Sequence, residues 1–118
     1  MADQMLSDAR LLRERGHMSS AADRAYYAMF HAAHAALAAS GFAAPRTHKG
    51  LRSQFGQQLV SKGAVEREYS KDLTKAFEIR LESTYEAFAE VDPRDSADLV
   101  DRAERFVGRI KMLVGEAT

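Results

Sequence analysis

Ala22–Ala39 reads ADRAYYAMFHAAHAALAA. This alanine-rich stretch has no Gly or Pro, and its apolar positions recur every three or four residues. Tyr26, Met29, Phe30, Ala33 and Leu37 share one face, so the spacing predicts a long helix buried on much of its circumference. A second face is polar. Arg24, Tyr27, His31 and His34 project along one line of the same helix. Such a line on a core helix has either buried partners or a shallow cleft above it.

The flanking sequence supplies further helices. Asp3 to Arg15 carries Met5, Ala9 and Leu12 on one face and stops at Gly16, a natural C′ residue. Ser19 or Ser20 is placed to cap the central helix, which ends near Ser40-Gly41. The loop GFAAPRTHKG follows, with Thr47 as candidate N-cap for a helix over His48 to Lys62 that buries Leu51, Phe55 and Leu59. A fourth helix, Val65 to Val91, carries the stripe Tyr69, Leu73, Ala76, Phe77, Leu81, Thr84, Phe88 and Val91, with Arg80 unexpectedly inside it. Asp92-Pro93 reads as an N-cap followed by an N1 proline, with Asp95 or Ser96 as alternative caps. The fifth helix runs to about Val114 with Leu99, Ala103, Phe106, Ile110 and Leu113 inward. Short links between long amphipathic helices predict an all-α, up-and-down antiparallel bundle of four to five helices, one domain over 1–118.

Composition narrows the chemistry. Lys plus Arg and Asp plus Glu number 17 each, so any anion site must come from local clustering. There is no cysteine, which removes disulfides, thiolate metal sites and cysteine nucleophiles. No apolar run approaches the roughly 18 residues that cross a bilayer, and the N-terminus lacks a signal pattern, so a cytoplasmic protein with no membrane partner is expected. Glu14-Arg-Gly-His17 has the Glu-x-x-His spacing of di-iron bundles, but it occurs once and Gly16 interrupts it, so no metal or other cofactor is expected. No phosphate-binding glycine loop or nucleophile elbow is present.

Three constellations remain. Arg24 and His31 sit about 10 Å apart along one helix face, a reach suited to a phosphodiester or nucleotide. In that reading His31 serves as acid or base and Arg24 stabilises phosphorane charge; alternatively Arg24 pairs with an acid of the first helix. Arg46, His48, Lys49 and Arg52 gather at a helix start, where free N–H groups favour an anion and Gly50 permits close approach; the bland counterpart is a solvated loop with a structural His48. Arg80 needs a carboxylate or a cleft, since a buried unpaired guanidinium costs several kcal/mol.

On these residues, the chain resembles the small stand-alone HEPN-domain proteins of bacteria and archaea. The likeness is carried by Ala22-Asp-Arg-Ala-Tyr-Tyr-Ala-Met-Phe-His31, then His48-Lys-Gly50, Phe55, Gly63, and Arg80 ahead of Tyr85. The resemblance implies a helical bundle that pairs into a homodimer with a cleft near the interface. It also implies a superfamily of metal-independent endoribonucleases, toxins of toxin–antitoxin pairs and partners of minimal nucleotidyltransferases. Its ribonucleases use a late Arg-x4-6-His motif. Here Arg80 is followed by Tyr85 where the histidine would stand, and a tyrosine is a poor proton-transfer group near neutrality.

The first expectation is therefore a dimeric RNA- or nucleotide-binding module associated with a toxin–antitoxin or nucleotidyltransferase system. Its ligand-binding candidates are Arg24, Tyr27, His31, Arg46, His48, Lys49, Arg80 and Tyr85. The alternatives are a metal-independent endoribonuclease using His31, Arg24 or His48, and a dimeric structural adaptor that binds neither ligand. The site reading requires Arg24, His48 and Arg80 to converge.

Overall fold

A computed structural model describes residues 1–43, 45–85 and 92–116, with side chains except those of 81–85, 93 and 116. It is all-helical: α1 (Ala2–Glu14), α2 (Met18–Ala39), α3 (His48–Phe55), α4 (Arg67–Tyr85) and α5 (Pro93–Glu116), with no strand among the described residues. Ion pairs give the directions. Asp3–Lys111 (2.6 Å), Arg10–Glu104 (2.6 Å) and Arg13–Asp101 (2.8 Å) step up α1 while stepping down α5, so these two run antiparallel. Glu66, just ahead of α4, pairs with Arg109 (3.0 Å) and Asp72 of α4 with Arg102 (2.6 Å), so α4 and α5 are antiparallel as well. Arg80, late in α4, meets Asp23, early in α2, at 3.4 Å. The up-and-down bundle expected from the short links is what forms, with α3 as a short fifth helix between α2 and α4.

The centre is α2, which packs on every other helix. Its alanines supply a second buried stripe, Ala21, Ala25, Ala28, Ala32 and Ala36, beside Tyr26, Met29, Ala33 and Leu37. Residues with so little side chain let neighbouring helix axes come close. Phe30, expected on the inner face, is only partly buried and turns towards α3. Facing α2 are Leu6 and Ala9 of α1, Leu51 and Phe55 of α3, Leu73, Ala76 and Ile79 of α4, and Leu99, Ala103, Phe106 and Ile110 of α5. Met5, Leu12 and Leu113 lie at the margin of this core rather than inside it. The expected inner positions Leu81, Thr84, Phe88 and Val91 lie outside the described residues or side chains.

Helix ends follow local chemistry with one exception. Gly16 has φ +79°, and His17 N–H bonds to Leu12 carbonyl (2.9 Å) while Gly16 N–H bonds to Arg13 carbonyl (3.1 Å). That is a Schellman stop, repeated at Gly41 with Phe42 N–H on Leu37 carbonyl. Thr47 Oγ1 accepts from Gly50 N–H at 2.9 Å, the predicted cap. Asp92 Oδ1 accepts from Arg94 N–H at 2.9 Å, so Asp92 caps α5 with proline at N1. The exception is α2. It starts at Met18 with His17 as N-cap and no side-chain cap, so Ser19 and Ser20 are helical residues rather than caps. The tight Gly16 stop leaves too little chain for a cap at either serine.

The helix expected over His48 to Lys62 changes character at Gly56, where residues Gly56–Val60 form a π-helical turn. Leu51, Phe55 and Leu59 are four residues apart, and each such step drifts about 40° around an α-helix. The wider π turn, bonded i to i+5, reverses that drift between Phe55 and Leu59 and returns Leu59 to the core. The fourth helix begins at Arg67, two residues later than expected, and Val65 is buried just ahead of it. None of the described helices is long and apolar enough to cross a membrane.

Candidate functional site

The polar line of α2 is divided between its neighbours. Tyr27 faces α4, and its hydroxyl accepts from Arg80 Nη2 at 2.8 Å. Tyr26, one residue earlier and fully buried, turns its hydroxyl to Nδ1 of His48 at the start of α3. Capping by Thr47 places that histidine: the cap fixes the first turn of α3 against α2. Around the imidazole stand Phe30 (ring centroids 5.0 Å apart), Tyr26 (5.5 Å), Phe77 (5.6 Å) and Tyr27 (6.4 Å).

Two guanidinium groups border this aromatic nest. Arg80 lies 5.0 Å above the Tyr27 ring and 5.5 Å above the Tyr26 ring, and Arg52 lies 3.9 Å above Phe77. Both are cation–π contacts, and they bring two fixed positive charges to the edge of a nearly apolar patch. Asp23 is the carboxylate paired with Arg80. The anomaly of an arginine in the inner stripe of α4 is thus resolved two ways at once, as an ion pair and as one wall of the cluster. Arg46 and Lys49 are exposed beside His48 and add to the local positive charge.

The electrostatics are consistent with this packing. Burial pushes the Tyr26 phenol up to about 12, against the opposing pull of Arg80 and Arg52. His48 is held below the usual histidine value, first by burial and then by Arg80, Arg52 and His34. His31 and His34 are lowered too, chiefly by burial. Near neutrality the cluster therefore has a protonated phenol, neutral imidazoles and charged guanidiniums. Nε2 of His34, whose ring lies 4.5 Å from Phe30, is buried without a hydrogen-bond partner among the described residues.

Other expected members lie apart. Arg24 is exposed, and its guanidinium rests 3.6 Å from the Met5 sulfur of α1. It does not join His48 and Arg80, because its place on α2 faces α1, and among the described residues no ion pair links it to an acid of the first helix. His31 sits at a boundary. It touches Tyr27 and Phe30, and it also lines a groove of about 570 Å³ with Ala32, Ala35, Val107 and Ile110 between the start of α1 and the end of α5. Gly50 does not leave room for a ligand. A Cβ there would meet Thr47 Oγ1 at 2.8 Å and Pro45 at 3.1 Å, so the glycine serves the cap. The Tyr85 side chain lies outside those described. No group of three or more His, Asp or Glu able to hold a metal occurs among the described residues.

Sequence reasoning placed Tyr26 and Phe77 only in the core and gave Asp23 no part in the site. The available signal was Tyr26 itself: a tyrosine at a core position has a hydroxyl that must find a partner.

The adjacent tyrosines of α2 thus hold His48 of α3 and Arg80 of α4 on one patch. Residues 1–113 match the family model described as HEPN domain. The chain belongs to the HEPN family. A Methanocaldococcus jannaschii protein named "Putative toxin" is 33% identical over 116 residues, covering 98% of this chain and 85% of that one. UPF0332 proteins of Thermotoga maritima (32% over 113 residues, covering 96% of this chain and 85% of that one) and Archaeoglobus fulgidus (33% over 115, 98% and 90%) are also similar. The HEPN domain thus spans almost all of the sequence, as the motif in α2 implied.

Proposed function

We propose that this HEPN-domain protein binds the phosphate groups of RNA or a nucleotide at the cluster formed by His48, Arg80 and Arg52, with Arg46 and Lys49 extending the contact. The observation that carries this reading is the convergence of an imidazole and two guanidiniums from α3 and α4 on one aromatic patch. Charge of this sign beside the half-buried rings of Tyr27, Phe30 and Phe77 suits a phosphate with a stacked base. The chain's zero net charge leaves the attraction local, so binding depends on this cluster.

The test is a titration of labelled single-stranded RNA and of adenosine monophosphate into the purified protein. The expected result is binding that weakens steeply with added salt, without strand cleavage. Loss of binding in Arg80→Met together with Arg52→Met, and not in Arg24→Met, assigns it to the cluster. Equal affinity in all three variants rejects the proposal.

One observation favours a second reading, a metal-independent endoribonuclease acting as a toxin. Arg80 and His48 both lie against the Tyr26 and Tyr27 rings, an Arg–His pair from two helices on one patch, and a relative bears a toxin's name. Chelator-resistant cleavage that disappears in His48→Ala identifies this activity. His48 replaces His31 and Arg24 as the first residue to test. A nucleotidyltransferase or antitoxin partner belongs to the same proposal, and co-purification with the product of an adjacent gene tests it.

A further inference from the structure

Tyr26 limits what the His48 ring can do. The Tyr26 side chain is fully buried, and a phenol proton sealed from water needs an acceptor. Its partner among the described residues is Nδ1 of His48. A ring with its proton on Nδ1 would donate to the phenol oxygen and leave the phenol proton with no acceptor among the described residues. An imidazolium would do the same and would also place a third cation beside Arg52 and Arg80. The neutral ring with a bare Nδ1 satisfies both groups, and its own proton then sits on Nε2.

We infer that Tyr26 is a positioning residue that holds His48 as the neutral Nε2–H tautomer, so His48 meets a ligand as a hydrogen-bond donor to an anionic phosphate oxygen. The ligand half of this rests on the phosphate-binding reading above. The tautomer is a property of the free protein and stands separately. Packing supports it: Phe30 and Phe77 press on the imidazole at 5.0 and 5.6 Å and oppose rotation of the ring away from Tyr26. The raised phenol and lowered imidazole agree with it, since the phenol keeps its proton and the ring stays neutral.

A consequence distinguishes holding a phosphate from cleaving one. A general base must present a bare nitrogen to the attacking hydroxyl, and with Nδ1 occupied by Tyr26 the other nitrogen already carries a proton. A neutral N–H is also a much weaker acid than an imidazolium and gives a leaving oxygen little help. The arrangement suits an unprotonated phosphate oxygen that is gripped by Nε2–H and the guanidinium charges and left intact.

The experiment uses the full chain with nitrogen-15 histidine and long-range proton–nitrogen correlation spectra at pH 7.5. The expected pattern for His48 is a protonated Nε2 and a bare, hydrogen-bonded Nδ1. In Tyr26→Phe that pattern gives way to the exchanging mixture of an unrestrained imidazole. A protonated Nδ1 or an imidazolium in the native protein overturns the assignment, as does an unchanged pattern in Tyr26→Phe.

Titration with adenosine monophosphate tests the donor role. His48→Ala is expected to weaken binding about tenfold, whereas His48→Gln, whose amide N–H mimics Nε2–H, stays within about threefold of the native protein. A glutamine variant as weak as the alanine variant overturns the donor role. If the native protein binds no adenosine monophosphate at low salt, the phosphate-binding reading falls, and the nitrogen spectra still decide the part played by Tyr26.

Discussion

Arg80 shows how one side chain reconciles two demands. Its aliphatic stem fills part of the α2–α4 contact, while its guanidinium keeps Asp23 at 3.4 Å and Tyr27 at 2.8 Å. Asp23 competes with any phosphate for that charge. Asp23→Asn is therefore expected to tighten adenosine monophosphate binding by roughly threefold at low salt, an effect that fades as salt screens the charge, read from binding isotherms. The histidines give a pH dependence with a definite sign. His31, His34 and His48 are held below their ordinary value by burial, so below about pH 6.5 the unfolded chain takes up protons that the folded chain resists. Stability from these groups is fully present above that pH and is lost as the pH falls through their folded-state values. Urea midpoints should hold steady from pH 7.5 to 6.5 and then decline, with a shallower decline in His34→Gln. The exposed acids Asp3, Glu66 and Asp92, lowered by Lys111, by Arg109 and by the Arg94 backbone N–H respectively, act only in a separate, more acidic window, from the ordinary carboxylate range downward.

At the scale of the element, α3 is the piece on which the candidate site depends. Eight residues make a marginal helix by themselves, so its position rests on the Thr47 cap and on Leu51 and Phe55 in the core. Thr47→Ala should cost about 1 kcal/mol in chemical denaturation. It should also weaken ligand binding, because His48 is the first residue the cap holds in place. Gly50→Ala should be destabilising as well, since its methyl group would strike Thr47 Oγ1 and displace the cap. Each of these elements was readable locally: the Gly16 and Gly41 stops, the Thr47 cap and the Asp92-Pro93 start depend on contacts within a few residues. The missed features were non-local. Gly16 announces where α1 stops, but not that α2 resumes as early as Met18, which the packing of α1 on α2 sets. Nothing within residues 56–60 announces a π turn, which answers to where the core lies beneath Leu59.

For the whole molecule, the ladders of ion pairs on α5 fix register while the apolar centre supplies stability. Phe106 is fully buried against Phe55, ring centroids 5.4 Å apart, and Phe106→Ala should cost about 3–5 kcal/mol, a large part of the roughly 5–15 kcal/mol typical of one domain. Calorimetry or urea unfolding measures it directly. Asp72, almost wholly buried, joins α4 to α5 through Arg102, which also holds Asp98. Removing Arg102 strands the Asp72 carboxylate between the helices, whereas loss of Asp72 leaves Arg102 its pair with Asp98. Association is predicted at this scale too: the apolar groove between α1, α2 and α5, together with exposed Met1 and Met112, is expected to be covered in a homodimer. Light scattering at micromolar concentration checks this, and a monomer there contradicts it.

The amino-acid order alone determined the helices, their stops and the buried face of α2, because periodicity and capping act over single turns. It also carried the family resemblance, since Tyr26, Tyr27 and His31 stand in one unbroken helix. Which cations share a site was decided only by tertiary packing. Arg24 and Tyr27 are one helical turn apart, yet Arg24 turns to α1 and Tyr27 to Arg80 of α4, because a helix side chain follows whichever neighbour covers its face. His48 and Tyr26 are far apart in sequence and meet because the core seats α3 on α2, where a buried hydroxyl needs an acceptor and finds it in the imidazole.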